Sequence, residues 1–135
     1  MPCDNRVLYV EDDPSLHEIL SRALTHEGFV VTTRTAARSA LVELAARRHG
    51  VLVTDYHLSD ESAGWMLRRA AARGLLRGVT TIVVTAARGA LDVGGARVLR
   101  KPIDFDALFG EIHAALGRPW ARLPVPAAAG PCVPR

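Results

Sequence analysis

Short apolar runs alternate with longer stretches of helical periodicity along this chain. Residues 7–10, 29–34, 51–54, 81–84 and 98–100 are rich in valine, leucine, isoleucine and threonine and read as five strands. Between them the apolar positions fall at helical spacing. Leu16, Ile19, Leu20, Ala23 and Leu24 make one face, opened by Asp13-Pro14 as cap and first helical residue and stopped at Gly28. Residues 36–48 predict a second helix, with Ala40, Leu41, Leu44 and Ala45 inward and Gly50 at its end. Residues 63–73 predict a third, stopped near Gly74. The stretch 86–97 carries Gly89, Gly94 and Gly95, so the fourth helix is expected to be shortened. Asp104 caps a last helix bearing Phe105, Leu108, Ile112 and Leu116. Strand alternating with helix is the signature of a doubly wound α/β fold, here a five-stranded parallel sheet with helices on both faces.

Polar residues cluster at the ends of four of the runs. The first ends in Glu11-Asp12-Asp13, the third in Asp55, the fourth in Thr85 and the fifth in Lys101-Pro102. In a parallel sheet those carboxyl ends converge on one crevice, where such folds bind ligands. The crevice would hold a carboxylate cluster, a hydroxyl and an ammonium. Of seventeen basic residues, sixteen are arginine and Lys101 is the one lysine. A compact ammonium and a planar guanidinium are not interchangeable at a tight site. Clustered carboxylates are costly to ionise together unless a cation compensates, and hard oxygen ligands suit magnesium. A carboxylate can itself attack phosphorus, with metal and ammonium neutralising the transferring oxygens.

Composition narrows the alternatives. The 135 residues are 49% apolar and 23% charged, the balance of one soluble domain. No apolar run approaches a membrane span, and Met1 to Arg6 leads straight into the first strand, so no signal peptide is expected. Cys3 and Cys132 near opposite ends form no metal or disulfide pattern, which fits a cytoplasmic location. The net charge of +3 is spread over several predicted helices without interleaved aromatics, so a nucleic-acid surface is not indicated. No glycine-rich phosphate loop or nucleophile elbow is present, and no small-molecule organic cofactor is expected. The five histidines share no ligand spacing and read as surface residues. Residues 119–135 are rich in proline and alanine and read as a disordered tail after a domain of residues 1–118, too short for a DNA-binding domain.

Glu11-Asp12, Asp55, Thr85 and Lys101-Pro102, in that order on successive strand ends, resemble the receiver domain of bacterial two-component response regulators. The resemblance covers about Arg6 to Arg118. It implies the flavodoxin-like strand order 2-1-3-4-5. It implies Asp55 as phosphoacceptor, charged by a sensor histidine kinase or a histidine phosphotransfer protein. Magnesium would be held by Asp12, Asp55 and the backbone carbonyl of His57, with Glu11 acting through water. Thr85 and Lys101 would bind phosphoryl oxygens, and the Lys101-Pro102 bond would be cis. His57 and Ala87 stand where the family tunes dephosphorylation.

The pattern departs from the family at three places. An aromatic often stands three residues before the lysine, where it swings inward on activation; here it is Val98. The stretch from Thr85 to Lys101 is short for the family, which erodes the usual partner-docking face. The loop after Asp55 has Ser59 in place of the usual proline, and its Gly64 comes one residue late. The leading expectation is therefore a stand-alone regulator that signals through an as yet unidentified downstream protein or passes phosphoryl groups along a relay. One alternative is a degenerate receiver acting as a constitutive interaction module. Another is an aspartate-nucleophile phosphatase, but those enzymes carry the nucleophile after the first strand, and here the isolated aspartate follows the third.

Overall fold

A computed structural model describes residues 5–87, 89, 91 and 93–117. The elements run β1 (Arg6–Val10), α1 (Pro14–His26), β2 (Val30–Arg34), α2 (Ala37–Ala46), β3 (Val51–Asp55), α3 (Ala63–Ala72), β4 (Thr80–Thr85), β5 (Arg97–Arg100) and α4 (Phe105–Ala115). All strand pairs are parallel, in the order β2-β1-β3-β4-β5. The order reverses at β1, so β1 and β3 flank the switch point where the sheet opens a crevice.

Alternation along the strands builds two cores. Val7 and Tyr9 point to one face with Val51, Val53, Ile82 and Val84, where Leu20 and Leu24 of α1 and Leu108 and Ile112 of α4 cover them. Leu8, Val10, Leu52 and Val83 point to the other, under Leu41 and Leu44 of α2 and Met66, Leu67 and Ala70 of α3. All five residues of β3 are buried, as a central parallel strand covered on both faces must be. The edge strands β2 and β5 are partly exposed. The helical stripes are narrower than their apolar residues suggest: Ile19 is 55% exposed and Ala45 is also exposed.

Local chemistry sets the boundaries. Asp13 accepts from the amides of Ser15 and Leu16, Ser62 from Trp65 and Asp104 from Ala107. Gly28 ends α1 with φ of +95°, a conformation that residues with a Cβ rarely adopt. The expected short fourth helix is corrected. Between β4 and β5 the described residues 86, 87, 89, 91 and 93–96 carry no helix, and the last helix is therefore α4. Gly89 at +90° and Gly94 at +61° turn the chain out of the right-handed region before a helical turn can close. Beside this connection lies a cavity of about 470 Å³, whose lining includes Leu67, Ala71, Leu76, Val79, Val93 and Ala96. The predicted tail, with Trp120, and both cysteines fall outside the described residues.

The histidines also need correction, because they are not all at the surface. His49 is 3% exposed and its Nε2 lies 3.0 Å from Oε2 of Glu43, itself 4% exposed and paired with Arg34 at 2.9 Å. His17 and His113 are partly buried.

Helix α2 lacks a side-chain cap of its own, because Ala36 stands at that position. Asp60, from the loop after β3, supplies the cap from a distance. Its carboxylate accepts from Ala37 N at 2.8 Å and Arg38 N at 3.0 Å. Slight desolvation raises its pKa, but the amides of Arg38, Ala37, Glu61 and Asp60 itself together hold it below the usual carboxylate range. Replacing Asp60 by alanine is expected to cost about 1 kcal/mol, the usual worth of a helix cap. The depressed pKa means that this stabilisation is present above about pH 4 and fades as pH falls through the folded value. Urea unfolding of Asp60→Ala beside wild type at pH 7 checks the loss, and equal midpoints would contradict it.

Candidate acidic crevice at the strand ends

Four elements deliver the site. Glu11 and Asp12 follow β1, Asp55 ends β3, Thr85 ends β4 and Lys101 follows β5. Because all strands run the same way, these residues share one edge of the sheet. One carboxylate oxygen from each of Glu11, Asp12 and Asp55 lies within 4.8 Å of the others. Lys101 Nζ sits 3.3 Å from Asp55 Oδ1 and 3.8 Å from Glu11 Oε1. Its backbone amide bonds the Thr85 carbonyl at 2.8 Å, which fixes the start of the lysine loop beside β4. The Lys101–Pro102 peptide bond is cis.

The carboxylates differ in environment. Asp12 is exposed, Asp55 is 9% exposed and Glu11 only 2%. Asp55 Oδ1 accepts from Tyr56 N at 3.0 Å. Glu11 accepts from Asp13 N at 3.2 Å and from the hydroxyl of Tyr9 at 3.4 Å, a long bond. Burial, and then the charge of Asp55, push the Glu11 carboxyl up to about 7, against the opposing pull of the Asp13 amide and Lys101. Burial, and then the charge of Glu11, push the Tyr9 phenol far up, so it stays a proton donor.

Thr85 is 1% exposed, and its Oγ1 accepts from Ala87 N at 3.0 Å. Among the described residues no acceptor takes its hydroxyl hydrogen, which is therefore available to a ligand. His57 lies in the loop after Asp55, where it pairs with Ser62 across a one-residue bridge and its ring meets Tyr56 edge-on at 5.0 Å. Val98 is half-buried within β5, opposite Val83, and packs with the α2–α3 core.

Three carboxylates against one ammonium leave an excess of negative charge in a partly buried pocket. An oxygen-only donor set with one exposed ligand fits a hard divalent cation such as Mg2+, which keeps several of its waters. Sequence reasoning missed Tyr9 and Asp60. Tyr9 carried a signal, since it lies two residues before Glu11 and side chains two apart on a strand share a face. Asp60 carried none, because its partner α2 lies more than twenty residues earlier.

This fold and this crevice define a class. The chain matches the response regulator receiver domain family over residues 7–113 and belongs to it. It is 31% identical over 122 residues to the transcriptional regulatory protein FixJ of Azorhizobium caulinodans, covering 87% of this chain and 58% of that one. It is 33% identical over 116 residues to the transcriptional regulatory protein TcrA of Mycobacterium tuberculosis, covering 81% and 45%. The chain thus spans about half the length of these relatives. Among solved structures it superposes on the receiver domain of the sensor histidine kinase PA1611 of Pseudomonas aeruginosa with a TM-score of 0.78, at 23% identity, over 84% of this chain and 98% of that one. That structure holds a magnesium ion in its active-site cleft. The receiver domain of Francisella response regulator 1452 superposes with a TM-score of 0.76 at 18% identity, covering 83% and 96%. These two likenesses establish the fold.

Proposed function

We propose that Asp55 accepts a phosphoryl group from the phosphohistidine of a sensor histidine kinase or a histidine phosphotransfer protein. The observation that carries this reading is the Asp55 carboxylate, 3.3 Å from Lys101 inside a carboxylate cluster at parallel strand ends. An Asp55 oxygen forms the new O–P bond as the N–P bond of the donor breaks, and the departing imidazole takes up a proton. Lys101 neutralises one phosphoryl oxygen, and the hydroxyl of Thr85 donates to another. Asp12, Asp55 and the His57 carbonyl would hold Mg2+, with Glu11 acting through water. The ion supplies charge neutralisation for the transferring oxygens.

The chain is then a phosphoacceptor of the bacterial cytoplasm and not a turnover enzyme. Its output is a changed protein contact or onward transfer in a relay. The lack of a helix among the described residues between β4 and β5 and the valine at position 98 favour a second reading, an interaction module that is never phosphorylated. Incubation with acetyl phosphate and Mg2+, followed by intact mass, separates the two. The first reading expects a gain of one phosphoryl group. No gain, together with no beryllofluoride binding, under conditions that label another receiver would leave the second.

A further inference from the structure

The far edge of the sheet carries a second charged feature, at the starts of β3 and β4. A cavity of about 210 Å³ opens there, lined by Arg47, Arg48, Arg77 and His49 over apolar walls that include Leu44 and Val79. It is separated from the acidic crevice by the length of β3, roughly 16 Å at the usual rise per residue. Among the described residues neither Arg48 nor Arg77 has an ion-pair or hydrogen-bond partner. Arg47 reaches Glu43 only at 3.8 Å. His49 is engaged at Nε2 by Glu43, while its buried Nδ1 has no partner. That nitrogen is closed to solvent, so the groups of the cavity open to a ligand are its guanidiniums.

The charges decide what that ligand is. The carboxyl ends of α2 and α3 lie beside this edge and direct about half a negative charge each toward it. Glu43 adds one, which Arg34 offsets at 2.9 Å. Three guanidiniums therefore leave the cavity net positive by about two charges. Helix capping does not explain Arg48 and Arg77, since neither bonds a carbonyl. The guanidinium of Arg48 instead lies over Gly78, where an added Cβ would come within 3.3 Å of it. At 210 Å³ the space is below the ~300 Å³ of a drug-sized ligand pocket and suits a small anion. Guanidiniums match phosphate oxygens in pairs.

We propose that this cavity is a second anion site, which takes a small phosphate or phosphomonoester held by Arg47, Arg48 and Arg77. The site is independent of the phosphoacceptor chemistry at Asp55.

The test uses the isotope-labelled full chain freed of metal by a chelating resin, so that the acidic crevice offers no cation to an added anion. Inorganic phosphate and phenyl phosphate are titrated separately at constant ionic strength. Saturable shifts are expected at the amides of Gly50, Gly74, Gly78 and Val79. The double substitution Arg48→Gln/Arg77→Gln lies at exposed positions and leaves the fold intact; it should weaken binding at least about tenfold. Tighter binding of phenyl phosphate supports an organic phosphomonoester resting on the apolar walls. Equal binding supports the inorganic ion. Non-saturating shifts, shifts centred on other residues or undiminished affinity in the double variant would each overturn the proposal.

Discussion

Asp55→Asn protein is expected to gain no phosphoryl mass from acetyl phosphate and Mg2+ in the time that fully labels wild type. The substitution keeps the shape of the side chain and an oxygen for the Tyr56 amide, which now lies 3.0 Å from Oδ1. What it removes is the nucleophile, since an amide oxygen carries no formal charge and attacks phosphorus poorly. The neighbouring carboxylates are poor substitutes. Glu11 is 2% exposed and its carboxyl is raised to about 7, so at neutral pH half of it carries a proton. Asp12 is exposed and has no ion pair to Lys101 among the described residues, so it lacks the ammonium that would offset charge on the phosphoryl group. Labelling should therefore fall by at least about a hundredfold, the scale on which a lost transition-state contact shows. Retained labelling in the variant would place the acceptor elsewhere and sink the assignment of Asp55. A folded, unlabelled Asp55→Asn protein beside a labelled wild type would support it.

Much of the crevice was legible because a parallel sheet turns linear spacing into geometry. Each apolar run ends at the same edge, so the residues after the runs meet without any pairing having to be guessed. Glu11, Asp55 and Lys101 sit within ion-pair reach for that reason, though about 45 residues separate each from the next. Caps at Asp13 and Asp104 were legible too, since each satisfies amides only two or three residues away. The failures came where tertiary contacts decide. Asp60 caps α2 across more than twenty residues, and nothing local marks it. A shortened helix was expected after Thr85, but Gly89 and Gly94 adopt positive φ and the described residues there carry no helix. His49 reads as polar and therefore outside, yet the buried carboxylate of Glu43 holds it inside.

Glu11 makes the metal-free fold weaker at pH 8 than at pH 5. Its carboxyl titrates near 7 in the folded protein, against an ordinary value of 4.5, because burial and the charge of Asp55 both disfavour ionisation. Between those two values the folded chain holds more protons than the unfolded chain, so unfolding free energy falls as pH rises. The contribution is whole below about pH 4.5, is lost through pH 7 and changes little above it. At 1.36 kcal/mol per pH unit the full loss is about 3 kcal/mol. Because pH acts on the whole chain, the informative quantity is a difference between proteins. Urea midpoints of wild type and Glu11→Gln at pH 5 and pH 8, both metal-free, isolate it. Wild type should lose about 2 to 3 kcal/mol more than the variant between the two pH values. Parallel losses would show that Glu11 is not the strained carboxylate. The same strain explains why the crevice should favour a divalent cation. A cation that binds only the folded state recovers the lost stability by mass action, so added Mg2+ should raise the wild-type midpoint more at pH 8 than at pH 5. Below pH 7 the ion competes with the proton on Glu11, and above it the carboxylate is already bare.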